Sequence, residues 1–140
     1  MLQEVARRLT RCVRETDSVA RLGGDEFVVM LEDLSEGSEE AATQARIVGE
    51  KILDVLGEPC QLAGHECINT SSIGITVFGD KNENISEIMK QADIAMYQAK
   101  AAGRNTIRFF APELQATVNA RAVLESDLRQ GIKAGQFALW

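Results

Sequence analysis

The chain has 140 residues, 45% of them hydrophobic, and 15 basic against 21 acidic side chains, which gives a formal net charge of -6. That length and composition fit one globular domain, and the lack of a basic block argues against a general nucleic-acid binder. No apolar run is long enough to span a membrane, the first residues lack the apolar segment of a signal peptide, and three cysteines without metal-site spacing indicate reduced structural thiols.

The beginning of the chain predicts a helix followed by a hairpin. Apolar residues recur at helical spacing from Leu2 onward, and the helix is expected to end near Arg14. The runs SVARL and FVVML then flank Gly23 and Gly24, which predicts a β-hairpin with its turn at the two glycines.

The rest of the chain adds three helices, a second hairpin and a strand. Ser38 begins a helix that ends at Gly57, and two β-rich runs flank the letters GHE. Ser86 is expected to cap a helix over 87–102, TIRFF is a short strand, and a last helix covers 113–133. Strand pairs in one sheet covered by helices make an α+β fold, so we expect an antiparallel-rich central sheet flanked by helices.

The residues Gly23, Gly24, Asp25 and Glu26 place two adjacent carboxylates in the predicted turn. Glycine lets the backbone adopt positive φ and approach a phosphate closely. Carboxylate oxygens suit Mg²⁺, which binds one or two carboxylates together with substrate phosphates and neutralises charge at a transferring phosphoryl group. The alternative is an ordinary hairpin loop with solvated acids, and these four residues alone leave both interpretations open.

A second group of charged residues lies near the end of the third predicted helix, in DIAMYQAKAAGRN. Lys100 and Arg104 are four residues apart, so both can project toward one point and hold a β/γ-phosphate. The alternative is an amphipathic helix with Ile94, Met96 and Tyr97 facing inward and Lys100 outward. This segment does not separate the two interpretations by itself.

Three segments occur together in one order: RLGGDEF at 21–27, SSIGIT at 71–76 and ADIAMYQAKAAGRN at 92–105. In this combination, the chain resembles the GGDEF-type diguanylate cyclase domains over about residues 2 to 110. The resemblance implies a nucleotide-cyclase, palm-like fold with a ferredoxin-like core. In that family a strand and a helix precede the part that corresponds to residue 1.

The resemblance implies an enzyme that condenses two GTP molecules into cyclic di-GMP and releases pyrophosphate. One site activates only one 3′-hydroxyl, so two domains must face each other and a homodimer is expected for catalysis. The implied cofactor is Mg²⁺ or Mn²⁺. The implied partners are GTP, cyclic di-GMP and an EAL-type domain of the parent protein, with no nucleic acid and no membrane segment in this chain.

The site residues of the family carry over to matching positions of this sequence. Asp25 corresponds to the essential acid, which is a metal ligand and a base for the 3′-hydroxyl, and Glu26 corresponds to a second metal ligand. The positions that correspond to nucleotide contacts are Gly23 and Gly24 against the nucleotide, Lys100 and Arg104 on the phosphates, and Leu2 in the guanine pocket.

Arg14 and Asp17 form the pattern Arg-x-x-Asp shortly before the glycines. By position they match the product-binding inhibitory site of the family, where the arginine grips a phosphate or guanine edge of cyclic di-GMP and the aspartate grips a guanine N–H. The alternative is an i, i+3 ion pair at a helix end, worth about 0.2–0.5 kcal/mol.

The resemblance divides the chain into a GGDEF-type domain over 1–111 and, over 112–140, a linker helix with the start of an EAL-type domain. The segment from Leu124 to Trp140 resembles the opening of an EAL-type cyclic di-GMP phosphodiesterase. Because the first strand and helix of the family are missing, we expect the 140-residue chain alone to be inactive, and to aggregate or exchange a strand between copies.

Two other functions stay open from the sequence. The first is a non-catalytic regulatory domain of a GGDEF-EAL signalling protein, which binds GTP or cyclic di-GMP and tunes the attached phosphodiesterase. The second is a fragment without a function of its own. In each case we expect a location in the bacterial cytoplasm, whether or not the parent protein is attached to a membrane.

Overall fold

The computed structural model describes residues 2–79 and 83–133. The elements in these residues are α1 Leu2–Cys12, β1 Ser18–Gly23, β2 Glu26–Met30, α2 Ser38–Gly57, β3 Cys60–Leu62, β4 His65–Cys67, β5 Ser72–Ile75, α3 Ile85–Ala101, β6 Thr106–Phe109 and α4 Pro112–Lys133. This mixture confirms the predicted α+β class. Of the helices described, none combines the length and the apolar character that a bilayer crossing requires.

The strands of the described residues pair in three two-stranded sheets. β1 with β2 and β3 with β4 are the two predicted hairpins, and both are antiparallel. β5 and β6 are parallel, because helix α3 connects them as a crossover. The hairpins are therefore confirmed, while the strands expected in one central sheet hydrogen-bond here only in pairs.

The first hydrophobic cluster fixes the β1–β2 hairpin against α1 and α2. Its buried members are Leu9, Cys12, Ile52 and Leu56. The apolar side chains of the hairpin that pack on it are Val19, Phe27 and Val29. Full burial of one such side chain contributes about 1.5–3 kcal/mol, so the orientation of the hairpin follows from the burial of this apolar face.

The second cluster joins α2, β6 and α4 through three buried residues, Ala42, Phe109 and Val118. Arg46 of α2 is also buried, and its Nη2 lies 3.5 Å from a carboxylate oxygen of Glu125 on α4. The predicted last helix is thus confirmed, and it packs back onto the domain. Residues 134–140, where the opening of an EAL-type domain is expected to continue, lie outside the described residues.

The backbones of β5 and α3 approach each other closely at Gly74. A Cβ atom on Gly74 would overlap the backbone nitrogen of Met96 and the backbone oxygen of Ala92. Ala95 and Ala99, on the same helix, have no exposed surface. The glycine of SSIGIT and the alanines of ADIAMYQAK are therefore explained by packing, which holds α3 on this pair of strands.

The start of α3 differs from the prediction for a local reason. The helix begins at Ile85 rather than at Glu87, and its N-cap is Asn84 rather than Ser86. The side-chain oxygen of Asn84 accepts a hydrogen bond from the Ser86 N–H at 2.8 Å. Asparagine is as good an N-cap as serine, so the cap that lies closer to the preceding loop begins the helix.

Candidate functional site at the β1–β2 turn

The Gly-Gly-Asp-Glu segment forms the turn of the β1–β2 hairpin. Gly23 ends β1 and pairs with Glu26 at the start of β2, which leaves Gly24 and Asp25 at the tip. Gly24 has a φ of 54°, in the left-handed region that glycine adopts without a steric penalty. All four residues are exposed, so both carboxylates are open to a ligand from solvent.

Arg21 braces this turn, and the sequence predictions missed it. Its Nε donates a hydrogen bond to the carbonyl oxygen of Gly24 at 2.9 Å, so the side chain bends back toward the tip. The strand register also shifts between Arg21 and Gly23, which makes β1 irregular next to the turn. The sequence signal for this contact is the position of Arg21 as the first residue of RLGGDEF, three residues before Gly24.

A cavity of about 300 Å³ lies between α1 and the hairpin. The residues that line it are Leu2, Gln3, Ala6 and Thr10 from α1 and Val19, Arg21 and Phe27 from the hairpin. Leu2, the residue expected in a guanine pocket, thus shares a cavity wall with Arg21, which contacts the turn. The volume is at the lower end of the range for small-molecule sites.

Lys100 and Arg104 do not share one helix face. Lys100 is half-buried in the last turn of α3, whereas Arg104 is exposed and lies beyond the helix end, after Gly103. Arg104 has a φ of 64°, and its N–H donates to the carbonyl oxygen of Ala99 at 3.1 Å. The helical i, i+4 relation expected from the sequence does not hold, because the chain turns at Gly103 before it reaches Arg104.

The acid turn and these two cations lie on different elements. α3 packs on β5 and β6, whereas the hairpin packs on α1 and α2. Ile73 of β5 contacts the cluster that supports the hairpin, so the two parts share one core. No described hydrogen bond or ion pair joins Lys100 or Arg104 to Asp25 or Glu26. A ligand that contacts both groups must therefore reach from the turn to the end of α3.

Asp25 and Glu26 fit a metal that is bound together with a substrate. In the part of the chain that the structure describes, no cluster of three or more His, Cys, Asp or Glu side chains could enclose a metal ion. Mg²⁺ is commonly bound by one or two carboxylates together with substrate phosphates, and the two acids supply that number of hard oxygen ligands. The donor set therefore suits Mg²⁺ or Mn²⁺ carried by a nucleotide.

The turn that contains Arg14 and Asp17 is closed by the Asp17 carboxylate. Its Oδ2 accepts from the backbone N–H of Arg14 and its Oδ1 from the backbone N–H of Glu32, both at 2.9 Å. The expected Arg14–Asp17 contact therefore involves the Arg14 backbone amide. Burial raises the pKa of Asp17, but the hydrogen bonds from Glu32 and Arg14 and the Arg14 charge outweigh it, so the pKa lies below its ordinary value.

Arg8 anchors α1 to the end of α2. It is buried, and its Nη1 donates to the carbonyl oxygens of Val55 at 3.0 Å and of Glu58 at 2.8 Å, so it contacts both the last turn of α2 and the residue that follows the helix. Its Nε donates to Glu4 at 2.9 Å. Hydrogen bonds from Arg7 and then from Arg8 lower the pKa of Glu4 from 4.5 to about 2.

Known proteins are similar to this chain over nearly its whole length. The family model described as "Diguanylate cyclase, GGDEF domain" matches residues 1–106. Over 139 residues, the chain is 39% identical to the bifunctional diguanylate cyclase/cyclic di-GMP phosphodiesterase MucR of Pseudomonas aeruginosa and 33% identical to the cyclic di-GMP phosphodiesterase NbdA of the same organism. Each match covers 99% of this chain, which spans 19% and 17% of the lengths of those proteins.

A solved structure is similar as well. The X-ray structure of an EAL/GGDEF domain protein from M. capsulatus matches with a TM-score of 0.66 and 35% sequence identity, over 79% of this chain and 68% of that chain. The family match over residues 1–106 and this structural likeness together show that the chain belongs to the GGDEF-type diguanylate cyclase domain family.

Proposed function

We propose that this domain condenses two GTP molecules into cyclic di-GMP and releases pyrophosphate. The observation that carries the proposal is the exposed Gly-Gly-Asp-Glu turn beside a cavity lined by Leu2 and Arg21. Membership of the family supports it, and so does the similarity to MucR, whose name includes both cyclase and phosphodiesterase activities.

Asp25 is the proposed base that removes the proton of the attacking 3′-hydroxyl. It is exposed at the hairpin tip, where a sugar hydroxyl can approach, and general base catalysis contributes about 10²–10⁴-fold. Asp25 and Glu26 would hold Mg²⁺ or Mn²⁺, which when bound neutralises charge on the reacting phosphates. Gly23 and Gly24 leave open space beside the backbone, so a phosphate can approach the turn.

The rest of the nucleotide would extend in two directions from the turn. The guanine base would enter the cavity, where Leu2 and the face of α1 provide an apolar wall. The β- and γ-phosphates would meet Lys100, a point charge, and Arg104, whose planar fork binds two oxygens at once. This arrangement requires GTP to bridge the hairpin tip and the end of α3.

Two such domains are needed for one turnover. The product contains two new phosphodiester bonds, and each domain activates one 3′-hydroxyl. A homodimer in which each domain holds one GTP would supply both reactants in one orientation, and positioning of this kind is a large part of phosphoryl-transfer catalysis.

Product inhibition is proposed at the Arg14–Asp17 turn. The side chain of Arg14 is exposed, and a guanidinium there can bind a phosphate or a guanine edge of cyclic di-GMP through paired hydrogen bonds. The nearby Asp17 carboxylate has lone pairs beyond the two used by backbone amides, so it can also accept from a guanine N–H.

A regulatory role is the second candidate function. NbdA is named as a phosphodiesterase, yet its matched region covers 99% of this chain at 33% identity. In this case the domain would bind GTP without turnover and tune an EAL-type phosphodiesterase that follows α4 in the parent protein.

The two candidates are separated by incubating the purified parent protein with GTP and Mg²⁺ and measuring cyclic di-GMP by chromatography, because the 140-residue chain alone is expected to be inactive. A cyclase makes product, and both a metal chelator and the Asp25→Asn substitution abolish it. Tight GTP binding without product, together with altered hydrolysis of cyclic di-GMP by the parent protein, supports the regulatory role. A protein that neither binds GTP nor makes product contradicts both.

A further inference from the structure

We propose that Asp17 is a positioning residue, which fastens the open end of the β1–β2 hairpin to the end of α1. This role is separate from any contact with cyclic di-GMP. It concerns the protein without ligand, and it predicts that substitution of Asp17 disturbs the hairpin even when no product is present.

The hydrogen bonds of Asp17 carry the proposal. One carboxylate oxygen accepts from the backbone N–H of Arg14, and the other accepts from the backbone N–H of Glu32, each at 2.9 Å. The backbone N–H of Asp17 donates in return to the carbonyl oxygen of Arg14 at 3.1 Å. One side chain thus joins two segments that are 15 residues apart in sequence, the turn after α1 and the residues after β2.

The hydrogen bonds of Asp17 lie at the open end of the hairpin, where they can affect both strands. Asp17 immediately precedes β1, whose first residue, Ser18, pairs with Met30 at the end of β2. The carboxylate therefore closes the hairpin at the end opposite to the Gly24–Asp25 tip, about 24 Å along the strand at about 3.4 Å per residue. An open end that frays would let both strands shift, and the acids at the tip would shift with them.

The chemistry of the bonds favours a carboxylate over other side chains. Hydrogen bonds to an ionised acceptor are roughly twice as strong as neutral ones. An asparagine keeps only one acceptor oxygen and could satisfy one of the two amides, while an alanine satisfies neither.

The consequence for catalysis rests on the proposed cyclase function. Because Asp25 lies at the tip and Glu26 at the start of β2, loosening of the open end lowers turnover of GTP at low substrate concentration, before any product accumulates. Substitution of a residue that only binds the inhibitor has a different effect. It leaves initial turnover unchanged and removes the inhibition that appears once cyclic di-GMP accumulates.

The test compares Asp17→Ala and Asp17→Asn with two controls in the same turn. Arg14→Ala removes the guanidinium but keeps the backbone amide that Asp17 accepts from, and Glu15→Ala removes an exposed carboxylate next to Thr16. The first measurement is amide hydrogen exchange of the segment that contains Glu32, without nucleotide. The second is the initial rate of GTP turnover by the parent protein that carries the same substitutions.

We expect Asp17→Ala to accelerate exchange at the Glu32 amide roughly tenfold or more, because a hydrogen bond to a charged group is lost. Asp17→Asn is expected to give a smaller acceleration, and both controls are expected to exchange like the unsubstituted protein. Where Asp17→Ala yields no folded protein, Asp17→Asn decides the comparison.

The positioning role would be overturned if the Glu32 amide exchanged at the same rate in both Asp17 variants as in Glu15→Ala. This holds whether or not the variants turn over GTP. Accelerated exchange in a parent protein that makes no cyclic di-GMP, even without substitutions, would support the positioning role and contradict the cyclase. Accelerated exchange with unchanged initial turnover in Asp17→Asn would overturn the proposed link between the open end and the acid tip.

Discussion

The two antiparallel hairpins of this domain have similar tips and different surroundings. The turn of each hairpin contains residues with positive φ. The angle is 54° at Gly24 in the first hairpin, and 50° at Ala63 and 82° at Gly64 in the second. Strands β1 and β2 place three apolar side chains on a buried cluster. Strands β3 and β4 have three residues each, and only Cys60 and Cys67 are half-buried. A tight turn is therefore common to both, whereas support from the core is not.

This difference shows what a hairpin needs in order to carry a site. The first hairpin carries Asp25 at its tip and Glu26 at the start of β2, next to a cavity, and Arg21 bonds the turn. The second hairpin holds one acid, Glu66, on a short exposed strand. Groups that are fixed before a ligand arrives lose less freedom on binding, so the supported hairpin is the better place for chemistry.

The largest contrast is expected between the acids of the two hairpins. In the parent protein, Asp25→Ala should lower the GTP turnover number at least about 100-fold, because it removes the proposed base, while Glu66→Ala should leave turnover unchanged. Both side chains are exposed, so neither change should alter the melting temperature measurably. Equal turnover in the two variants would remove the distinction between the hairpins.

A contrast in stability is expected between Phe27 and Leu62. Phe27→Ala should lower the free energy of unfolding by about 2–3 kcal/mol, since it opens a gap beside the first cluster. Leu62 is 39% exposed, and Leu62→Ala should cost less than about 1 kcal/mol. Urea unfolding followed by circular dichroism measures both, and similar losses would mean that the second hairpin is as well anchored as the first.

The glycines of the two tips form a matched pair. Gly24→Ala and Gly64→Ala each place a side chain at positive φ with open space around it, so each should cost about 1–2 kcal/mol of stability. Only Gly24→Ala should also reduce GTP turnover. If both variants lose the same stability and keep full turnover, the conformation of Gly24 is not part of the site.

The smallest effect is expected at Glu4, which pairs with Arg8, the residue that holds the end of α2 before β3. The pKa of Glu4 is lowered from 4.5 to about 2 in the folded chain, so its contribution to stability is full above about pH 4.5 and is lost as the pH falls toward 2. Glu4→Gln should therefore melt slightly below the unsubstituted protein at pH 7. The two melting curves should converge as the pH falls through that range, and a gap that persists at pH 2 would contradict the assignment.

The local elements of the fold were predictable because they depend on short-range chemistry. Helical spacing from Leu2 and paired strand runs around Gly23–Gly24 identified α1 and the first hairpin within two residues at each end. The pairing of β5 with β6 depends instead on residues more than 30 positions apart, such as Ser72 and Thr106. No local pattern specifies such a partner, so the sequence led us to expect one sheet where the strands described here form pairs.

The residue types of the candidate turn were predictable from the sequence, but the hydrogen bonds that hold the turn and the open end of the hairpin were not. The glycines and acids of the turn follow from the motif, but the bond from Arg21 to Gly24 and the two bonds of Asp17 run from side chains to backbone. Such bonds depend on the path of the main chain rather than on residue spacing. The same limit applies to Arg104, whose positive φ takes it off the face of α3.

The most direct measurement is amide hydrogen exchange with and without a non-hydrolysable GTP analogue and Mg²⁺. We predict that the analogue protects two segments together, residues 22–27 at the acid turn and residues 100–105 at the end of α3. Protection of both should be lost in Asp25→Asn. Protection confined to one of the two segments, or absent from the turn, would contradict the claim that a single triphosphate connects them.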